Sequence, residues 1–214
     1  EAQVCGQCHN EYYFNAAKVT SNPYDSLAGM DAERMLAFYV ALGFKDWEHP
    51  DTGAPLLKAQ HPEFETVYGG QQSRMAAAGF SCADCHMATE ESDTGARYSS
   101  HELVSPLESP ELMEKCGLCH DDLAGEVAAW QKGVTDREQA ISQDIVRYIE
   151  KLASVKDSLD PETLARAQQI HRHAQFYWDY VMVENSEGAH NPEAAHANLD
   201  KAEALLAEGF ALLA

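Results

Sequence analysis

Three cysteine pairs in this chain share one spacing, and each pair is followed directly by a histidine. The three motifs are Cys5-x-x-Cys8-His9, Cys82-x-x-Cys85-His86 and Cys116-x-x-Cys119-His120. In C-x-x-C-H the two thiols can add to the two vinyl groups of one haem, and the histidine then binds the iron as its proximal ligand. The motifs therefore predict three covalently attached haem c groups.

Two other uses of a C-x-x-C pair fit the pattern less well. Zinc sites built from such pairs do not require a histidine after each pair, whereas every pair in this chain has one. A thioredoxin-like redox pair lies within a strand-rich βαβ pattern, and no such pattern surrounds the three motifs. The motifs use all 6 cysteines, so none remains for a disulfide.

Length and charge narrow the class of protein. The chain has 214 residues and a formal net charge of −20, which argues against nucleic acid or an anionic membrane surface as a partner. No apolar run approaches the roughly 18 residues of a membrane span. The sequence starts at Glu1 with neither an initiator methionine nor a signal peptide. Because covalent haem attachment implies export, we expect a mature or trimmed protein that is periplasmic or otherwise exported.

Residues 1–120, the haem-motif region, are predicted to consist of short helices and loops. Glycine and proline interrupt the pattern repeatedly, and three haem groups would form much of the core there. The first motif is expected on a short helix that runs into Phe14. Asp31 is expected to cap a helix with apolar residues at helical spacing from Met35 to Phe44.

Residues 121–214, the helical region, have longer apolar patterns. Apolar residues recur at steps of three, four or seven from Leu123 to Leu159, which predicts one long helix over 121–158. Asp160-Pro161-Glu162 is typical of a helix start, and a last helix is predicted after Pro192. No strand pattern exceeds a few residues. We therefore predict an all-α multihaem cytochrome c with short haem-wrapping helices followed by long C-terminal helices.

Longer stretches of sequence are more specific than the cysteine motifs. They include Cys-Gly-Gln-Cys-His-Asn-Glu-Tyr-Tyr-Phe at 5–14, Gly-Phe-Lys-Asp-Trp at 43–47, Gly-Ala-Pro-Leu-Leu-Lys-Ala-Gln-His-Pro-Glu at 53–63, Tyr-Ser-Ser-His at 98–101, Ala-Gln-Phe-Tyr-Trp-Asp at 174–179 and Glu-Asn-Ser-Glu-Gly-Ala-His-Asn-Pro at 184–192. In these stretches the chain resembles the C-terminal part of the pentahaem cytochrome c nitrite reductases, periplasmic enzymes that reduce nitrite to ammonium. The resemblance runs almost from end to end.

The resemblance implies an active site over the open face of a catalytic haem. Tyr12 and His61 match the family's active-site tyrosine and histidine, which would supply protons and hydrogen bonds to an iron-bound anion. A calcium ion lies beside that haem in the family. Its matching donors here are Glu11, the carbonyls of Tyr12 and Lys58, and Gln60, which are hard oxygen donors of the kind that calcium prefers.

The resemblance also implies distal haem ligands. His190 matches the distal ligand of the haem held by His86, and His101 matches that of a haem in a part of the family that this chain lacks. For the haem held by His120 the family has a distal histidine where this chain has Met75. A thioether sulfur can bind haem iron and raises its potential, so we predict Met75 as the ligand; the alternative is that Met75 only packs. Four further histidines match no ligand position and are expected to be structural or exposed: His49, His171, His173 and His196.

The family's first part has no counterpart in this sequence. That part carries the catalytic haem with its lysine ligand, a second haem and an active-site arginine, and no C-x-x-C-K motif occurs here. We expect either a second chain that supplies this half or a longer product of which the chain is a piece. Two functions stay open: part of an ammonia-forming nitrite reductase that relays electrons to the catalytic haem, or a pure electron-transfer cytochrome. A redox donor and a second copy, paired through the helix over 121–158, are the other expected partners.

Overall fold

The computed structural model describes residues 2–26 and 29–214, and helices dominate this part of the chain. In chain order the helices are α1 (Ala2–Cys5), α2 (Ala32–Leu42), α3 (Glu63–Tyr68), α4 (Arg74–Ala77), α5 (Cys82–His86), α6 (Pro110–Cys116), α7 (Leu123–Val155), α8 (Pro161–Met182) and α9 (Pro192–Leu212). Short strands form antiparallel pairs: β1 (Tyr13–Phe14) with β2 (Thr20–Ser21), β3 (Trp47–Glu48) with β4 (Pro55–Leu56), and β5 (Thr89–Glu91) with β6 (Arg97–Ser99). The all-α prediction is confirmed.

The three long helices begin where local sequence signals predict. The Asp160 carboxylate accepts hydrogen bonds from the backbone N–H groups of Glu162 and Thr163, and Pro161 occupies the first helical position of α8. The Asn191 side chain caps α9 in the same way, again with a proline at the first position. After α7, a short 3₁₀ turn covers Lys156–Ser158, in agreement with the predicted end of that helix.

Helices α7, α8 and α9 pack against one another and form most of the apolar core. Helix α7 buries the C-terminal part of its apolar stripe, and α2 joins the core through residues one helical turn apart. The side chains buried from these helices include Met35, Leu36 and Tyr39 of α2, Val134, Ile141, Tyr148 and Leu152 of α7, Ile170 and Phe176 of α8, and Leu199 and Leu206 of α9. Each large apolar side chain buried in this way stabilises the fold by roughly 1.5–3 kcal/mol.

The chain after the first motif differs from the prediction of a helix that runs into Phe14. Helix α1 ends at Cys5, and Tyr13–Phe14 is strand β1, paired with β2. The reason is a tight turn, in which the Asn15 side-chain oxygen accepts hydrogen bonds from the backbone N–H groups of Ala17 and Val19. This local side-chain bonding competes with helix formation and reverses the chain.

The haem-motif region and the helical region contact each other through α8. The Arg172 guanidinium donates to the backbone carbonyls of Phe44, which precedes the β3–β4 hairpin, and of Pro55, the first residue of β4. On the same helix, His171 is hydrogen-bonded to Thr52 of the hairpin. The hairpin is therefore held against α8, and this places the segment that follows β4 beside the helical core. In the described part of the chain, no helix has the length and apolarity needed to cross a bilayer.

Candidate functional site

The second cysteine motif lies opposite the predicted distal ligand His190. The imidazole rings of His86 and His190 lie in a T-shaped arrangement, with centroids 6.1 Å apart and planes at 82°. A first-row metal ion bound about 2 Å from a nitrogen of each ring would separate the two ring centres by roughly 6 Å. The two histidines therefore fit the two faces of one haem.

Hydrogen bonds orient both of these rings. Nδ1 of His86 lies 3.1 Å from the carbonyl oxygen of Val104, and because a carbonyl only accepts, Nδ1 carries the proton and leaves Nε2 free to bind a metal. Nδ1 of His190 lies 2.6 Å from the carboxylate of buried Glu184. Burial would raise the pKa of Glu184, but hydrogen bonds from His190 and Ser186 outweigh it and hold that pKa below its ordinary value.

The other two proximal histidines also have Nδ1 partners. Nδ1 of His120 lies 2.8 Å from the carboxylate of Glu126, and Nδ1 of His9 lies 3.5 Å from that of Glu63. The His120 contact is a hydrogen bond and leaves Nε2 as the free nitrogen, whereas the Glu63 oxygen near His9 makes no hydrogen bond. In metal sites a hydrogen-bond partner on the other ring nitrogen fixes the ring orientation and raises the basicity of the ligand, and His86 and His120 both have such a partner.

The three motifs lie next to one another in chain order. The side chains of Cys5 and Cys82 interact directly, and Cys85 lies close enough to Cys116 for an electrostatic interaction. None of the six cysteines is buried. Apolar porphyrins attached at these positions would therefore be neighbours, an arrangement suited to stepwise electron transfer.

The predicted calcium donors Glu11 and Gln60 meet although 49 residues separate them in sequence. The backbone N–H of Gln60 donates to Oε2 of Glu11 at 2.6 Å, and the Tyr39 hydroxyl donates to Oε1 at 3.0 Å. Glu11 is completely buried, and burial raises its pKa to about 8. A buried carboxylate of this kind gains from a bound cation, which favours the ionised form.

A second buried carboxylate lies beside the first. Glu65 accepts hydrogen bonds from the backbone N–H of Glu11, at 3.0 Å, and from the Tyr24 hydroxyl through its Oε1 atom. Its Oε2 atom is buried and has no hydrogen-bond partner, and burial raises its pKa to about 7. Such an orphaned acceptor among oxygen donors fits a divalent cation such as calcium. No cluster of three or more His, Cys, Asp or Glu side chains suited to a metal occurs within 2–26 and 29–214, and the predicted donor set needs none because two of its donors are carbonyls.

The Glu11–Gln60 contact also brings together the two segments that carry the predicted catalytic residues. Tyr12 follows Glu11 and is half-buried, with its ring edge-on to Phe14 at 5.8 Å between centroids. His61 follows Gln60 and is exposed. That their side chains face one cavity stays a prediction.

The remaining predicted ligands lie in exposed positions. His101 is exposed just after β6, and Met75 lies on α4 with 42% of its surface exposed. Their assignment as haem ligands stays a prediction. Among the unassigned histidines, His171 is buried and hydrogen-bonded to Thr52 and Gln175, and Nδ1 of His196 lies 3.1 Å from the Arg137 guanidinium.

Several site residues escaped prediction from the sequence. Glu63, Glu126 and Glu184 contact histidines that are predicted to bind haem, yet no motif spacing marks these three acids. Asp179 offers a better signal, since it is a charged residue on the apolar face of α8 between Phe176 and Tyr180. A buried, charged residue in such a position usually has a specific partner.

Comparison with known proteins agrees with the geometry. A cytochrome c nitrite reductase subunit NrfA of Nitratidesulfovibrio vulgaris is 37% identical over 218 residues, which covers 91% of this chain and 41% of that protein. The structure of NrfA from Desulfovibrio desulfuricans, a catalytic subunit described with two calcium sites, has a TM-score of 0.87 and 32% identity over 99% of this chain and 48% of its own length. The outer cell wall cytochrome OcwA, at 20% identity, TM-score 0.50 and coverage of 95% of this chain and 45% of its own, shares the fold alone.

The chain spans less than half the length of these relatives. The family profile described as cytochrome c552 matches residues 1–213, and thus includes all three C-x-x-C-H motifs and the segment that carries His190. By this match and by its likeness to both nitrite reductase subunits, the chain belongs to the cytochrome c552 family.

Proposed function

We propose that the chain is part of a nitrite reductase that forms ammonium and that it relays electrons to a catalytic haem outside the chain. The observation that carries the proposal is the contact between Glu11 and Gln60, 2.6 Å between Oε2 and the backbone nitrogen. It joins the two sequence segments that hold Tyr12 and His61. A pure electron-transfer cytochrome would need the haem motifs but not this convergence.

Three haem c groups held at the cysteine motifs, when bound, supply electrons one at a time through their irons. The chain's own residues orient them. His9, His86 and His120 would bind the irons, and His190, whose ring centroid lies 6.1 Å from that of His86, would bind the same iron as His86. The close approach of neighbouring motifs supports an ordered relay.

Tyr12 and His61 supply protons and hydrogen bonds. Both oxygens of nitrite leave as water when ammonium forms, so the reaction consumes protons as well as electrons. A phenol and an imidazole beside the substrate can donate hydrogen bonds to an anion and pass protons to its oxygens. Calcium held by Glu11, Gln60 and the carbonyls of Tyr12 and Lys58 would add fixed positive charge near the anionic substrate.

The catalytic haem, the active-site arginine and the location of the protein are further parts of the proposal. An N-terminal half, in the same product or in a separate chain, would supply the catalytic haem, and a redox protein would donate electrons. We infer a periplasmic or otherwise exported protein because c-type haem attachment implies export. A homodimer would cover the outer face of α7, where Val146 is 54% exposed.

The experiment measures ammonium formed from nitrite by the haem-loaded, full-length protein with a reduced viologen as donor. The variants Tyr12→Phe and His61→Asn are each expected to lower kcat by about 10²–10⁴-fold, the range for a lost proton donor. Tyr98→Phe is the matched control, because Tyr98 is an exposed tyrosine whose hydroxyl donates to Glu90 at 2.8 Å. A protein that accepts and passes on electrons but forms no ammonium would establish the electron-transfer alternative.

A further inference from the structure

Three consecutive backbone N–H groups, those of Lys58, Ala59 and Gln60, each donate a hydrogen bond to a different carboxylate. The donor–acceptor pairs are Lys58 to Asp46 at 2.9 Å, Ala59 to Asp179 at 2.8 Å and Gln60 to Glu11 at 2.6 Å. Each carboxylate oxygen accepts the proton of one N–H group and so fixes the direction of that group. This short segment is therefore held at every residue.

The three carboxylates come from distant parts of the fold. Asp46 precedes the β3–β4 hairpin, Asp179 lies on α8, and Glu11 follows the first cysteine motif. Asp179 is buried inside a helix whose neighbouring residues are apolar. Because buried carboxylates are unfavourable without a partner, its bond to the buried N–H of Ala59 explains why an acid occupies this position.

The bond to Asp179 determines the direction of one predicted calcium donor. The N–H of Ala59 and the C=O of Lys58 belong to the same peptide unit, which is planar and trans, so they point in opposite directions. Fixing the N–H toward Asp179 therefore fixes the Lys58 carbonyl away from it. Asp46 fixes the preceding peptide unit in the same manner through the N–H of Lys58.

We propose that Asp179 and Asp46 are positioning residues that aim the Lys58 carbonyl at calcium and hold the Lys58–Gln60 segment in place before His61. The inference rests on the proposed function, since it takes its calcium site from there. Neither aspartate touches substrate or metal in this assignment. They act through the backbone, as outer partners of metal ligands do elsewhere.

The test is the calcium affinity of the haem-loaded, full-length protein after removal of calcium with a chelator, measured by calorimetric titration with calcium chloride. Asp179→Ala is expected to weaken binding by about 10–100-fold, the usual cost of losing an outer partner of a metal ligand. Asp179→Asn keeps an acceptor oxygen at the same place, and its affinity should lie close to that of the unmodified protein. Equal losses in the Ala and Asn variants would overturn the role of the hydrogen bond.

Two further variants guard against a general loss of folding. Asp46 is exposed, so Asp46→Ala removes an acceptor without opening a cavity, and it should weaken calcium binding in the same direction. Tyr148→Phe is the control, because the buried Tyr148 hydroxyl donates to the Ala167 carbonyl at 3.0 Å within the core between α7 and α8, away from the calcium donors. It should lower stability and leave calcium affinity unchanged.

The outcomes separate this inference from the proposed function. Calcium binding is measured without nitrite, so a protein that binds calcium in an Asp179-dependent way but forms no ammonium would reject the proposed function alone. Unmodified protein that binds no calcium, or Asp179→Ala and Asp46→Ala variants that are folded and bind it normally, would overturn the positioning role.

Discussion

The segments next to the cysteine motifs and the helical region differ in how much apolar surface they bury. In the helical region, Ile141, Tyr148 and Leu199 are fully buried against one another. In the haem-motif region, α1 and α5 bury no side chain, and apolar residues beside the motifs are open, with Leu118 85% and Val4 72% exposed. Apolar surface of this kind fits a porphyrin, which would bury it as a core of side chains would.

The difference suggests where stability and redox function reside. Long helices that share a side-chain core can fold by burial alone, whereas short helices need another apolar body to be stable. Variants that prevent haem attachment should therefore destabilise the haem-motif region, and variants in the packed helices should destabilise the helical region. The contacts between the two regions decide how far each disturbance spreads.

The largest effect is expected from loss of the haem predicted at the second motif. In the double variant Cys82→Ala, Cys85→Ala the haem cannot attach at the second motif, and the haem-motif region should lose its resistance to proteolysis while α7–α9 keep theirs. Haem content by absorbance and cleavage sites by mass spectrometry measure the two effects. Ile141→Ala is the reciprocal control: it should cost about 2–5 kcal/mol of stability with haem content unchanged. Cleavage that starts in α7–α9 of the cysteine variant would contradict the comparison.

The next largest effect is a pH-dependent loss of stability at the contact between the β3–β4 hairpin and α8. Burial, aided by nearby His49, lowers the pKa of His171 from 6.5 to about 4. Because the folded-state pKa lies below the ordinary value, this stabilisation is complete above pH 6.5 and is lost as pH falls towards 4, by about 3 kcal/mol in all. Urea unfolding across this range should show a smaller pH dependence in His171→Gln.

Thr52→Val provides the control for that measurement. It removes a hydrogen bond of His171 at 3.1 Å but no titrating group. It should lower the free energy of unfolding by a similar amount at each pH. The dependence of that free energy on pH should stay the same as in the unmodified protein. If the free energy of unfolding of His171→Gln changed with pH as steeply as that of the unmodified protein, the acid sensitivity would not come from His171.

A smaller effect, of about 100 mV or 2.3 kcal/mol for one electron, is expected at Met75. If its sulfur binds the haem at Cys116, Cys119 and His120, Met75→Ala should lower the potential of that haem only and abolish a sulfur-to-iron charge-transfer band of the oxidised protein. Because 42% of Met75 is exposed, stability should change little. Potentiometric titration with optical detection measures both. A spectrum that does not change would reject Met75 as a ligand.

The smallest effect is expected at a surface contact between the regions. Nζ of Lys201 on α9 lies 2.7 Å from the carboxylate of Glu33 on α2, and this hydrogen bond holds the pKa of Glu33 below its ordinary value of 4.5. Since both groups are largely accessible, Lys201→Ala should cost no more than about 1 kcal/mol. The contribution is present above pH 4.5 and disappears as Glu33 is protonated. Salt at 1 M should abolish it as well. Nζ of Lys201 also lies 5.2 Å from the centroid of the Tyr177 ring, and a cost that persists in salt would indicate loss of that contact instead.

Local patterns in the sequence were sufficient for a large part of this description. The prediction of haem attachment at Cys5 and Cys8, and at the two later pairs, depends only on neighbouring residues and follows from their spacing. The start of α8 is equally local, because Asp160 and Pro161 act within the first turn. The helix expected to run into Phe14 failed for a local reason too, since the Asn15 side chain turns the chain before that helix can form.

The candidate site depends on contacts that no periodicity encodes. The Ala59 amide meets Asp179 across 120 residues, and Gln60 meets Glu11 across 49. Family resemblance marked Glu11 and Gln60 as donors. The roles of the aspartates that hold Lys58–Gln60 follow only from the packing of α8 against the hairpin. Hydrogen bonds between distant residues follow from how helices and loops pack, and a peptide plane takes its direction from that packing. The sequence by itself therefore determined which groups could bind haem and calcium, whereas the tertiary structure decided how those groups are aimed.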